Sequence, residues 1–106
     1  MSLNTGYYIP PINPPTGFQY TIQMRDAENE LGKLSYGTDH KKDGFLRQDE
    51  INDARTAGKL RDSVWSQLGN NKNLFEQVAT HVDEQGREMV TVEDINNAIA
   101  NGVLTA

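Results

Sequence analysis

Three carboxylates within twelve residues offer the clearest chemistry in this chain. Asp39, Asp43 and Glu50 lie in the run Asp39-His40-Lys41-Lys42-Asp43-Gly44-Phe45-Leu46-Arg47-Gln48-Asp49-Glu50. They are hard oxygen donors of the kind that hold divalent cations of the calcium type. Gly44 permits a sharp turn between the second and third of them. Two of the three cations in the same run, Lys41 and Arg47, oppose the chemistry. A Lys41 ammonium held about 4 Å from a divalent ion would repel it by roughly 8 kcal/mol at an effective dielectric of about 20. The lysine stem can instead carry that charge out to solvent. Arg47, later in the run, weakens the site further.

Other chemistries find less support. His40 and His81 are the two histidines, and neither has a nucleophile–base pair or a phosphate-cradling glycine loop beside it. Catalysis is therefore not expected. The chain has no cysteine, which removes disulfides, thiol catalysis and thiolate-held zinc. A net charge of −5, with no basic patch to neutralise phosphates, argues against nucleic acid. No apolar run approaches a membrane span, and no signal peptide is visible at the first residues, so a cytoplasmic location is the expectation. With 106 residues, the chain suits one small domain with a single modest core.

The elements that must position the carboxylates follow from spacing. Residues 1–19 contain all four prolines and no charge, which predicts an extended arm rather than a helix. Its Tyr7, Tyr8, Ile9, Ile12 and Phe18 suit packing across the domain or capture of a partner. From residue 20 to 106 a helical period predominates. Met24, Ala27, Leu31 and Leu34 form one stripe, with Arg25, Asp26, Glu28, Glu30 and Lys33 opposite it. Helices are expected near 20–36, 48–57, 60–69, 73–82 and 92–101. Gly58 breaks the chain after the second, and Asn71 or Asn73 can cap the fourth. Trp65 is read as a core anchor.

The twelve-residue run then recurs in worn form. Asp83 through Asp94 begins and ends with an acid, and it carries Val90 where the first run carries Leu46. Asp49-Glu50-Ile51 and Glu93-Asp94-Ile95 are near-copies at the same point of each unit. Thr91 stands three residues before Asp94, the spacing of a capping box.

On these residues the stretch from about 20 to 102 resembles a paired EF-hand domain. The first run matches the EF-hand calcium loop at its first, fifth, sixth and twelfth positions (Asp39, Asp43, Gly44, Glu50) and departs from it at the third, Lys41. The resemblance implies Asp39, Asp43, the Phe45 carbonyl and Glu50 as metal ligands, with Glu50 closing the site through two oxygens. It implies an all-α fold of about five helices, with Leu46 and Val90 facing each other across a short antiparallel bridge. The second loop has Gln85 and Arg87 at ligand positions and Glu88 where the turn glycine belongs, and Gly86 moves the turn two residues earlier. That loop is expected to be structural. One weak calcium site, at roughly 10⁻⁴–10⁻³ M, is expected in the first. The alternative is a metal-free helical scaffold that binds another protein. Leu31, Leu34, Ile51, Val64, Trp65, Leu68, Phe75, Val78, Val82, Ile95 and Ile99 are the expected core.

Overall fold

The computed structural model describes residues 16–33 and 43–106, with the side chains of residues 16 and 17 left aside. The arm up to Pro15, the expected core residue Leu34, and Asp39, His40 and Lys41 lie outside the described residues. Among the described residues five helices carry the fold: α1 (Thr16–Leu31), α2 (Gln48–Thr56), α3 (Ser63–Asn70), α4 (Lys72–Val78) and α5 (Val92–Ala100). Three short strands join them: β1 (Leu46–Arg47), β2 (His81–Val82) and β3 (Glu88–Val90). The described residues are thus mostly helical, with a small antiparallel sheet in the order β1-β3-β2. No helix among the described residues is long and apolar enough to cross a membrane.

One core lies between α1, α2, α3 and α5. Trp65, Leu31, Leu46, Ile51, Leu68, Val90 and Ile95 are wholly inaccessible to solvent. Trp65 anchors it, with Tyr20 edge-on at 6.0 Å between ring centroids. The indole N–H donates to Gln23 Oε1 at 2.6 Å, so the polar edge of this large buried ring is satisfied. Asn71 caps α4 by accepting from the Leu74 N–H at 3.0 Å. Thr91 and Asp94 make the reciprocal capping box of α5: Thr91 Oγ1 accepts from the Asp94 N–H at 3.1 Å, and Asp94 Oδ2 accepts from the Thr91 N–H at 3.0 Å.

Leu46 pairs with Val90 and Arg47 with Met89 in antiparallel register. The same position of each twelve-residue run therefore meets its counterpart.

The fourth helix is shorter than its periodicity suggests. It ends at Val78 rather than at residue 82, because the following residues find partners elsewhere. Thr80 Oγ1 donates to Asp94 Oδ1 at 2.6 Å, and His81 and Val82 pair with Met89 and Glu88 as the outer strand. Val82, expected in the core, is 61% exposed, and Ile99 is only partly buried. The third helix begins at Ser63, after Leu60 has entered the core from an irregular link. The first begins at Thr16, directly after the prolines, and ends at Leu31 with a turn at Gly32 and Lys33.

Candidate functional site

The described part of the first loop, from Asp43 on, meets the second loop, with Phe45 against His81. A cleft of about 330 Å³ lies between them, and Asp43, Phe45, Arg47, Glu50, His81 and Arg87 are among its walls. Three of the four expected ligands, Asp43, Phe45 and Glu50, thus border one space; Asp39 lies outside the described residues.

Gly44 has φ +82°, the left-handed conformation that a glycine adopts without strain. Asp43 Oδ1 accepts from the Phe45 N–H at 3.0 Å, which folds the loop back on itself just before β1. The turn is also tied down from a distance. Glu28 Oε2, on α1, accepts from the Asp43 N–H at 3.0 Å and from the Gly44 N–H at 2.9 Å. Glu28 is 7% exposed and so does not belong to the solvent face to which its neighbours assigned it. The signal was its place one helical turn beyond Met24 and three residues before Leu31, on the flank of the apolar stripe. Burial pushes the Glu28 carboxyl above the usual range. The charges of Asp43 and Glu50 push the same way, and the two amide hydrogen bonds pull partly back.

Glu50 is buried at the third position of α2, where its Oε1 accepts from the Arg47 N–H at 2.9 Å. This ties the end of β1 to the first turn of the helix. The Arg47 side chain is nearly as buried. Its Nε and Nη2 donate to the two oxygens of Asp49 at 2.9 and 3.1 Å, a bidentate fork. Its Nη1 stands 3.6 Å from Glu50 Oε1. Burial alone would depress the guanidinium pKa, but the hydrogen bonds to Asp49 and the charges of Glu50 and Asp49 outweigh it and raise it. Asp49 shows the mirror effect: burial pushes its carboxyl up, and the Arg47 hydrogen bonds and charge bring it below the usual range.

The second loop is a tight hairpin between β2 and β3. The Asp83 N–H donates to the Arg87 carbonyl at 2.8 Å, and the Gly86 N–H donates to the Asp83 carbonyl at 3.0 Å. Gly86 sits at φ +81°, so the turn has moved to the glycine as its position suggested. Asp83 Oδ1 accepts from the Gln85 and Arg87 N–H groups at 2.9 and 2.8 Å, and Oδ2 accepts from Arg87 Nε at 2.7 Å. Burial would raise the Asp83 carboxyl, but the Arg87 and Gln85 hydrogen bonds hold it below the usual range. Both carboxylate oxygens are thus engaged within the hairpin. Asp94, the acid that ends the run, is engaged with Thr80 and Thr91 as described above.

The helical period extends over His81, but the residue stands in β2. It packs edge-on against Phe45 at 5.0 Å, with its Nδ1 3.0 Å from Thr80 Oγ1. It therefore links the first loop to the hairpin. Among the described residues, no three His, Asp or Glu side chains gather in an arrangement that could hold a metal ion.

The donor chemistry of the first loop still suits a hard cation, since Asp43, Glu50 and the Phe45 carbonyl offer oxygen only. In the arrangement seen, the carboxylate of Glu50 already faces a guanidinium. The chain matches no protein-family model, no curated protein and no solved structure.

Proposed function

We propose that this chain is a small EF-hand-like binding module, with one weak calcium site in the first loop and a structural second loop. The observation that carries the reading is the antiparallel pairing of Leu46 with Val90. It joins two twelve-residue runs at their common eighth position, so the runs behave as one unit repeated. The left-handed Gly44 at the sixth position and Glu50 in the first turn of α2 support the same reading. Asp39, Asp43, the Phe45 carbonyl and Glu50 are the proposed ligands, and a calcium ion there would bridge the loop to the helix that follows it. The Asp83–Arg87 ion pair supports a structural second loop, because the cation that completes it is its own arginine. No catalytic role belongs to this reading.

Calcium titration by calorimetry, with magnesium as control, tests it. Native binding should be weak, with Kd at about 10⁻⁴ M or above, and absent in Glu50→Gln. Lys41→Asp exchanges a repulsive charge for a ligand and should tighten binding by about a hundredfold or more. Arg87→Asp should do little, since Glu88 still occupies the sixth position of that loop. Tight binding of two ions by the native chain would refute the assignment, and no binding by a folded Lys41→Asp variant would refute the first site.

A second reading has an observation of its own. Both loops hold an internal arginine against an acid, Arg47 beside Glu50 and Arg87 on Asp83. That favours a metal-free scaffold for another protein, the conclusion that failure of Lys41→Asp would leave.

A further inference from the structure

We propose that Arg47 is a tethered cation that competes with a metal ion for Glu50, and so sets the affinity of the first loop. The proposal rests on the reading of that loop as a calcium site and names what regulates it. The sequence sets two opposing charges at ligand positions of the loop, Lys41 at the third and Arg47 at the ninth, and weighs Lys41 first. The structure raises the weight of Arg47, which is held at three points.

Its backbone lies in β1, in register with Met89 of β3. Its guanidinium is forked onto Asp49 at 2.9 and 3.1 Å, and its side chain is 7% exposed. The remaining nitrogen, Nη1, stands 3.6 Å from the oxygen of Glu50 that also accepts the Arg47 N–H. A guanidinium stays charged at any pH at which the protein is folded. An ion that takes Glu50 must therefore displace a positive charge already in place, or share one carboxylate with it. Both cost affinity, and neither cost depends on Lys41. The raised pKa of Arg47 agrees with a charge that its surroundings stabilise.

The position of Asp49 explains why the arginine stays. As the more exposed partner, it takes the bidentate contact and orients the guanidinium, leaving Nη1 towards the interior. The outcome is a loop whose closing carboxylate is neutralised from within the chain. Calcium would enter it when the ion's two charges outcompete the one that is tethered.

The test is calcium calorimetry on the full chain and on Arg47→Gln and Arg47→Met, each also combined with Glu50→Gln. Circular dichroism establishes which variants fold; Met keeps the apolar stem where Gln keeps polarity, so the two fail for different reasons. The expected result is binding at least about tenfold tighter in the Arg47 variants, equivalent to about 1.4 kcal/mol. The gain should vanish in the Glu50→Gln background. If the native chain binds calcium and the folded Arg47 variants bind within about twofold of it, the tethered-cation proposal is overturned while the calcium reading stands. If neither the native chain nor either Arg47 variant binds, with or without Lys41→Asp, both fall together.

Discussion

Removing the Glu28 carboxylate should loosen the first loop from α1, at a cost that the geometry allows to be worked out. Glu28→Ala deletes the acceptor for two backbone amides, those of Asp43 and Gly44, at 3.0 and 2.9 Å. Hydrogen bonds to a charged group contribute about 1.5–3 kcal/mol each in favourable settings. Two effects reduce the sum. Asp43 is exposed, so water can replace part of what its amide loses. Glu28 itself is buried with its carboxyl pushed up, so its removal also relieves a desolvation cost. The net loss should be about 1–2 kcal/mol, or about 4–15 °C in Tm for a domain near this size. Urea unfolding followed by circular dichroism measures it, with an unchanged slope because the surface exposed is the same. Amide exchange provides the local readout: the Asp43 and Gly44 N–H groups should exchange faster in Glu28→Ala, while α5 is unaffected. Glu28→Gln keeps a neutral acceptor without the cost of burying a charge, so at neutral pH it should recover most of the loss. A change of under about 0.5 kcal/mol with unaltered exchange at both amides would refute the reasoning. It would mean that Gly44 and the Asp43 side chain hold the turn without help from α1.

Three further outcomes are expected. Phe75→Ala should destabilise the protein by about 3–5 kcal/mol, the usual loss for a large buried aromatic, and denaturant unfolding would show it. Thr91→Ala should cost about 1 kcal/mol by opening the α5 cap; near-equal small losses from these two would show that the second unit is misread. In a pH series, Glu28 is protonated more readily folded than unfolded, so its titration stabilises the fold below the ordinary value of 4.5 and that contribution fades as pH rises. The cost of Glu28→Gln should therefore be greatest near pH 4 and shrink towards neutrality. Asp49 has the opposite sign: its contribution is present above 3.8 and lost as pH falls below, so Asp49→Asn and the native chain should converge in acid.

What the sequence by itself determined is what depends on neighbours along the chain. A helical stripe needs only its own period, and so Leu31, Ile51, Val64, Trp65, Leu68, Phe75, Val78 and Ile95 fall in the core as their spacing requires. Asn71, Thr91 and Gly86 act through residues two to four positions away, which makes caps and turns legible from composition. Even one long-range contact, Leu46 with Val90, was readable because a repeated unit states the same position twice. The tertiary structure decided the rest, where a residue's partner is distant and nothing local announces it. His81 and Val82 continue the apolar pattern of α4, yet they leave it because β3 offers backbone hydrogen bonds and Asp94 holds Thr80. Glu28 is buried because amides fifteen and sixteen residues away need an acceptor. Arg47 counts in sequence as one charge among ten basic residues. Folding pins it between Asp49 and Glu50, since a guanidinium enters a low-dielectric interior only where carboxylates meet it.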